Sequence, residues 1–143
     1  MLVEQILEGK GREVATVAPE ATIADAVRML ADHNVGALVV SADGQAVEGI
    51  VSERDIVRQL ATEPEVLGRR VHELMVHDVA TCDCRTGIDE LMSTMTARRF
   101  RHVPVVDGGR LCGIVSIGDV VKARIDELAT ETQQLVGYIQ NGR

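Results

Sequence analysis

Apolar residues in this chain follow two alternating periodicities, and the alternation occurs twice. Ile23, Ala26, Val27 and Leu30 stand at i, i+3, i+4 and i+7, and Ile88, Leu91, Met92 and Met95 repeat the spacing. Each set predicts an amphipathic helix with one apolar stripe turned to a core. Thr22 is the predicted N-cap of the first helix, and Thr86-Gly87 opens the second. Behind each helix lies a short apolar run, Ala37–Ser41 and His102–Val106. Continuous stretches such as Ala37-Leu38-Val39-Val40 predict strands covered on both faces. Turn signals follow at Asp43-Gly44 and Asp107-Gly108-Gly109, then a further strand pattern at Val47–Val51 and Leu111–Val115.

Both of these last strands run into one motif. Gly-Ile-Val-Ser-x-x-Asp stands at Gly49–Asp55 and at Gly113–Asp119, 64 residues apart. With Thr16-Val17 matching Thr81-Cys82, each copy reads strand, helix, strand, strand, helix. The fold class is α/β (α+β), built as tandem βαββα repeats related by a pseudo-two-fold. One copy of about 55 residues buries too little surface alone, so the two are expected to share a common core. The predicted organisation is 1–62 for the first copy with its lead-in, 63–73 for a connector, 74–125 for the second copy and 126–143 for a helical extension. The connector carries Pro64, Gly68 and Arg69-Arg70. Val121, Ile125, Leu128, Leu135 and Ile139 predict a last helix reaching about Tyr138, either a partner surface or a seal on the edge of the module.

Composition narrows the function classes. There is no Trp, one Phe and one Tyr, so the core is aliphatic and base-stacking platforms are missing. A net charge of −7 argues against a general nucleic-acid or anionic-membrane partner. No apolar stretch approaches the roughly 20 residues of a membrane span, and an N-terminus with Glu4 and Glu8 is unlike a signal peptide. Three cysteines without an export signal suggest reduced thiols, and a cytoplasmic location is expected.

The duplicated junctions, the Arg101-His102-Val103-Pro104-Val105-Val106 strand and the element order resemble CBS domains. The whole chain resembles a free-standing CBS pair, the Bateman module, over about residues 10–125. The resemblance implies a disc-like module with two clefts for adenine nucleotides, often dimerised and usually without catalysis.

Two readings attach to Ser52/Asp55 and Ser116/Asp119. One is a capping box, in which Ser caps the helix and the acid reaches back, contributing on the order of 1 kcal/mol. The other, which the resemblance implies for Asp55 and Asp119, is that Asp accepts from ribose hydroxyls while Ser and the helix N-terminus receive phosphate. Within Arg98-Arg99-Phe100-Arg101-His102, Arg98 or Arg99 suits a solvated helix end. The resemblance gives Arg101 and His102 to phosphate, for which Arg is apt. The first copy has Gly36 and Ala37 there, with Arg54 as partial compensation and Gly118 as its uncharged counterpart. The second site is therefore expected to be the better equipped for phosphate. Alignment lines an adenine slot with Val17, Ala37, Leu38 and Ile50 in one copy, and with Cys82, His102, Val103 and Ile114 in the other; Thr16, Thr81 and Pro104 are further ligand-binding candidates. Ordinary core packing is the competing reading for most of these.

Cys82-x-Cys84 lacks a second pair for a zinc site, and His72 and His77 are off the helical metal register, so no metal is expected. Cys112 reads as a small core residue, and His33 as a surface or capping residue. The resulting reading is a non-enzymatic sensor of adenine nucleotides, AMP or ATP foremost, with ADP, NAD and S-adenosylmethionine alongside. It would act in trans on an unidentified partner as a homodimer. Rival readings are a dimerisation module without ligand, a thiol enzyme using Cys82 or Cys84, and an RNA- or DNA-contacting protein using Arg98–Arg101.

Overall fold

The computed structural model describes residues 1–141. Gly142 and Arg143, the end of the predicted extension, lie outside the described residues. The elements are α1 (Val3–Lys10), β1 (Thr16–Val17), α2 (Ile23–His33), β2 (Ala37–Val40), β3 (Gly49–Ser52), α3 (Glu53–Leu60), a 3₁₀ turn (Pro64–Gly68), α4 (Val71–Leu74), α5 (Ile88–Arg98), β4 (His102–Asp107), β5 (Arg110–Ser116) and α6 (Ile117–Asn141).

Local chemistry sets the helix ends. Thr22 Oγ1 accepts from Asp25 N (3.1 Å) while Asp25 Oδ2 accepts from Thr22 N (3.2 Å), a reciprocal capping box. The second copy opens differently: Gly87 is the N-cap of α5 and provides no side-chain cap. α2 and α5 both stop at a left-handed residue, Asn34 at φ +52° and Arg99 at φ +58°. Asn tolerates that region, and Arg takes it at a cost.

β1 runs parallel to β2, and β2 pairs antiparallel with β3, Ala37 opposite Ser52. β4 and β5 repeat the antiparallel hairpin, His102 opposite Ser116. The counterpart of β1 is reduced to a bridge at Cys82 opposite Val105, because Asp83 turns the chain immediately, its carboxylate accepting from Arg85 N (2.8 Å).

The predicted common core resolves into two clusters. One joins Val17, Ile23, Ala26, Leu30, Leu38, Val51 and Ile56 with Val71 of α4; the other joins Ile88, Leu91, Met95, Val103, Val115 and Val120 with Val3, Ile6 and Leu7 of α1. Each cluster is thus completed by the helix that precedes the opposite copy. The glycine of the repeated motif is the seat. A β-carbon on Gly113 would stand 2.7 Å from Leu7 Cδ2, and one on Gly49 would stand 2.7 Å from Met75 Sδ and 2.8 Å from the Val76 carbonyl oxygen. The connector is correspondingly ordered. Val66 and Val71 are fully buried, and Val76 exchanges two backbone hydrogen bonds with Ile50 at the edge of β3 (3.1 and 2.8 Å).

Candidate functional site

Both Ser-x-x-Asp junctions form the caps that their spacing predicts. Ser52 Oγ accepts from Asp55 N (3.3 Å) and donates to Asp55 Oδ2 (2.9 Å). Ser116 Oγ accepts from Asp119 N (3.1 Å), and Asp119 Oδ2 accepts from Ser116 N (2.8 Å). The two carboxylates then part company. Asp119 Oδ2 also accepts from Lys10 Nζ at 2.6 Å, while Lys10 donates again to the Ile114 carbonyl (3.0 Å). Burial works to raise the Asp119 carboxyl, but the Lys10 ammonium and the Ser116 N–H outweigh it and hold the group below the usual carboxylate range. Asp55 has no cation within 4.0 Å among the described residues.

The larger cavity, about 830 Å³, opens over the Asp55 junction. Ser52, Glu53, Arg54, Asp55 and Arg58 line it from α3 and its cap; Arg99, Phe100, Arg101, His102 and Ile117 line it from the second copy. A smaller cavity of about 250 Å³ lies beside Ser116, lined by Lys10, Ala37, His102 and Ile114 among others. Small-molecule sites run from roughly 300 to 1,000 Å³, so only the first has the volume of one.

This placement corrects the expected charge asymmetry. Arg101 and His102 face the Asp55 junction of the opposite copy, so the cationic side chains gather at the first cleft rather than the second. Gly36 is the physical reason. β2 and β4 enter side by side, and a β-carbon on Gly36 would lie 3.6 Å from the His102 ring. The bare α-carbon lets side chains at the entry of β4 reach across to α3. Each cleft therefore combines one copy's Ser-x-x-Asp with the other copy's strand entry, and His102 borders both.

The cationic run also divides. Arg98 closes α5, pairs with Asp78 at 2.9 Å and lies 4.9 Å over the Phe100 ring, a helix-end role. Arg99, expected at a solvated end, lines the cleft instead. With Arg54, Arg58 and Arg101 it makes four guanidinium groups around one cavity, none with a carboxylate oxygen within 4.0 Å among the described residues. Burial, assisted by Lys10 and Arg101, lowers the His102 pKa below its ordinary value, so this ring is neutral at pH 7.

Of the expected slot residues, Ile50 lines the first cavity, and Ala37 and Ile114 line the second. Val17, Leu38 and Val103 are buried core residues that line neither; alternation along a strand turns Leu38 and Val103 away from the faces of Ala37 and His102. Thr16, Thr81, Cys82 and Pro104 also line neither cavity, with Thr81 exposed and Pro104 buried. Arg58, Arg99, Met95 and Thr96 are cleft residues that sequence reasoning missed. Arg58 alone left a signal, one helical turn beyond Arg54 on the same face. No group of three or more His, Cys, Asp or Glu side chains among the described residues is placed to hold a metal ion.

A hairpin and helix repeated about a pseudo-axis, with two clefts shared between the repeats, matches a known class. The CBS domain model matches residues 4–62 and again 71–126. The chain belongs to the CBS-domain family and carries two copies of the domain. It is 35% identical over 153 aligned positions to the mitochondrial CBS domain-containing protein CBSX3 of Arabidopsis thaliana, covering 98% of this chain and 72% of that one. The solved CBS-domain protein ATU1752 of Agrobacterium tumefaciens is 47% identical with a TM-score of 0.82, covering 87% of this chain and 99% of that one. The CBS domain pair of protein MJ0100, solved with 5'-methylthioadenosine and S-adenosyl-L-methionine, is 26% identical with a TM-score of 0.78, covering 89% of this chain and 98% of that one. No helix among the described residues is long and apolar enough to cross a membrane.

Proposed function

We propose that this chain is a non-catalytic, cytoplasmic sensor that binds one phosphorylated adenine nucleotide in the Asp55 cleft and signals through a partner surface. The observation that carries this reading is the set of four arginines, without a carboxylate partner within 4.0 Å among the described residues, that line one cavity with Asp55 in a chain of net charge −7. Four arginines outnumber the two carboxylates of Glu53 and Asp55 in the cleft, an excess of positive charge that favours an anion, and Arg matches phosphate oxygens in bidentate geometry. Asp55, with no cation within 4.0 Å among the described residues, is left to accept from ribose hydroxyls, with the phosphates toward Arg54, Arg58, Arg99 and Arg101. The charge favours ADP or ATP over AMP, and AMP over S-adenosylmethionine, although a relative is known in complex with the last. NAD, with its two phosphates, ranks with ADP.

The second cleft is not expected to hold a nucleotide. Lys10 already neutralises Asp119, and the remaining space is small. Lys10 stands three residues after Leu7, the side chain seated on Gly113; three residues after Met75, seated on Gly49, stands Asp78, which is turned to Arg98. The lead-in helices thus give the two junctions opposite treatment. Because the first cleft draws residues from both copies, a ligand there bridges them. Its differential affinity for two arrangements of the copies provides the signal. The exposed apolar positions of α6, with Val57 and Leu60 of α3, are the proposed surface for a second copy of this chain.

Calorimetric titration of AMP, ADP, ATP, NAD and S-adenosylmethionine tests the reading. One equivalent per chain is expected, with affinity rising with phosphate number and falling roughly 10- to 100-fold in Asp55→Ala, the range for losing a hydrogen bond to a charged group. Absence of binding at millimolar nucleotide, or undiminished binding by Asp55→Ala, would refute it.

A further inference from the structure

The tertiary fold brings together two cysteines that the sequence sets 28 positions apart. Cys84 lies in the turn ahead of α5 and Cys112 on β5, with their Sγ atoms 3.9 Å apart. Both are partly exposed. Arg12 Nη1 donates to Cys84 Sγ at 3.7 Å, and Cys112 Sγ donates to the Val105 carbonyl at 3.4 Å. Arg12 is thus the cationic neighbour of a partly exposed sulfur that has a second sulfur within reach. Cys82 is different. It packs on the core, and burial, with Asp83 adding to it, pushes its thiol up to about 12, so it stays protonated.

We infer that Cys84 and Cys112 form a reversible dithiol–disulfide site, with Cys84 as the attacking sulfur, Arg12 as its positioning cation and a hydroperoxide as oxidant. The Cys84 thiolate attacks one peroxide oxygen; the O–O bond breaks and the departing oxygen leaves as water with the proton Cys84 has given up. Cys84 is then a sulfenic acid. The Cys112 sulfur attacks it, the S–S bond forms, the S–O bond breaks, and the hydroxyl leaves as a second water with the Cys112 proton. Two thiols and one hydrogen peroxide become one disulfide and two waters, two electrons passing from sulfur to oxygen. A dithiol reductant reverses the step by exchange. Bond formation closes the sulfur–sulfur distance from 3.9 Å to the roughly 2.05 Å of a disulfide.

The site lies under α1. Glu4 N donates to the Cys84 carbonyl (3.0 Å), Val3 N donates to the Thr86 carbonyl (2.9 Å), and Leu7 packs on Gly113 beside Cys112. The bond therefore staples the two surfaces on which α1 rests. It is independent of any nucleotide.

The test uses the full reduced chain, exposed to graded hydrogen peroxide, quenched with an alkylating agent under denaturing conditions and mapped by mass spectrometry. The expected result is an intrachain Cys84–Cys112 disulfide with Cys82 alkylated, recovered by dithiothreitol, and unchanged in Cys82→Ser. Cys84→Ser and Cys112→Ser should form no intrachain disulfide, and Cys84→Ser should resist sulfenic-acid trapping. Arg12→Gln, an exposed substitution, should slow oxidation several-fold with the melting curve of the reduced protein unchanged. Equal loss of all three thiols, a Cys82–Cys84 bond, chain-to-chain disulfides only, or an Arg12→Gln rate equal to that of the wild type would each overturn the assignment.

Discussion

At the residue scale, the repeated motif holds two jobs apart by two side chains and a missing one. Ser and Asp cap the helix, and the glycine accepts the opposite lead-in segment. Gly113→Ala is expected to destabilise by about 1–3 kcal/mol, the range for overpacking a tight site, because Leu7 must move. Gly49→Ala should cost more, since one of the atoms in the way is the Val76 carbonyl, which is fixed by its hydrogen bond to Ile50. Chemical denaturation of both variants checks the order. Arg99 carries another residue-scale consequence. Its left-handed backbone costs on the order of 1 kcal/mol in a non-glycine residue, at the position where the first copy uses Asn34. Arg99→Asn should raise the melting temperature and lower affinity for ATP, whereas a purely structural Arg99 would give the first change without the second.

His102 gives stability a pH dependence with a definite sign. Burial lowers its folded pKa below the ordinary 6.5, so below that value the unfolded chain takes up a proton before the folded one does. Its contribution is full above pH 6.5 and declines as pH falls toward the folded value. Denaturation midpoints measured between pH 5 and 7.5 should fall on acidification, and His102→Gln should flatten that slope. An equal slope in the variant would contradict the buried neutral ring.

At the element scale, the lead-in helices matter more than their length suggests. α1 supplies three residues to the second core and Lys10 to the second junction. Deleting residues 1–10 should remove amide-exchange protection from α5 and β4 while leaving α2 and β2 protected. Loss confined to the first copy would reverse this account. Lys10→Met keeps the aliphatic stem and removes the charge. The Asp119 carboxyl should then titrate at higher pH by carbon-detected NMR. If the second cleft is withheld from nucleotide by this ion pair, ATP stoichiometry should also rise above one per chain.

At the scale of the whole molecule, α6 presents Val121, Ile125, Leu128, Leu135 and Ile139 to solvent, with Ile125 60% and Leu135 60% exposed. A stripe of this length on a 25-residue helix fits an isologous contact with a second copy about a two-fold axis. Sedimentation should give a dimer at micromolar concentration and a monomer for Ile125→Glu. A monomeric wild type would leave α6 as an edge seal.

Much of this fold was legible in the sequence. The i, i+3, i+4, i+7 stripes, the turn dipeptides and the duplicated junction are local signals, and local signals fix which segments become helix and strand and that there are two copies of one unit. The caps at Ser52 and Ser116 were legible for the same reason, since their partners lie within three residues. The cleft was not. Arg99 and Arg101 belong with Asp55 only because β2 and β4 enter side by side and Gly36 has no side chain to block the crossing. Asp119 is neutralised because α1 passes over the other copy, 109 positions away in sequence. Cys84 meets Cys112 for a similar reason. By itself the sequence determined the repeated unit and the residue types available for binding. The tertiary structure decided which of them face one another, because packing each lead-in helix on the opposite copy's glycine sets relations that no periodicity encodes.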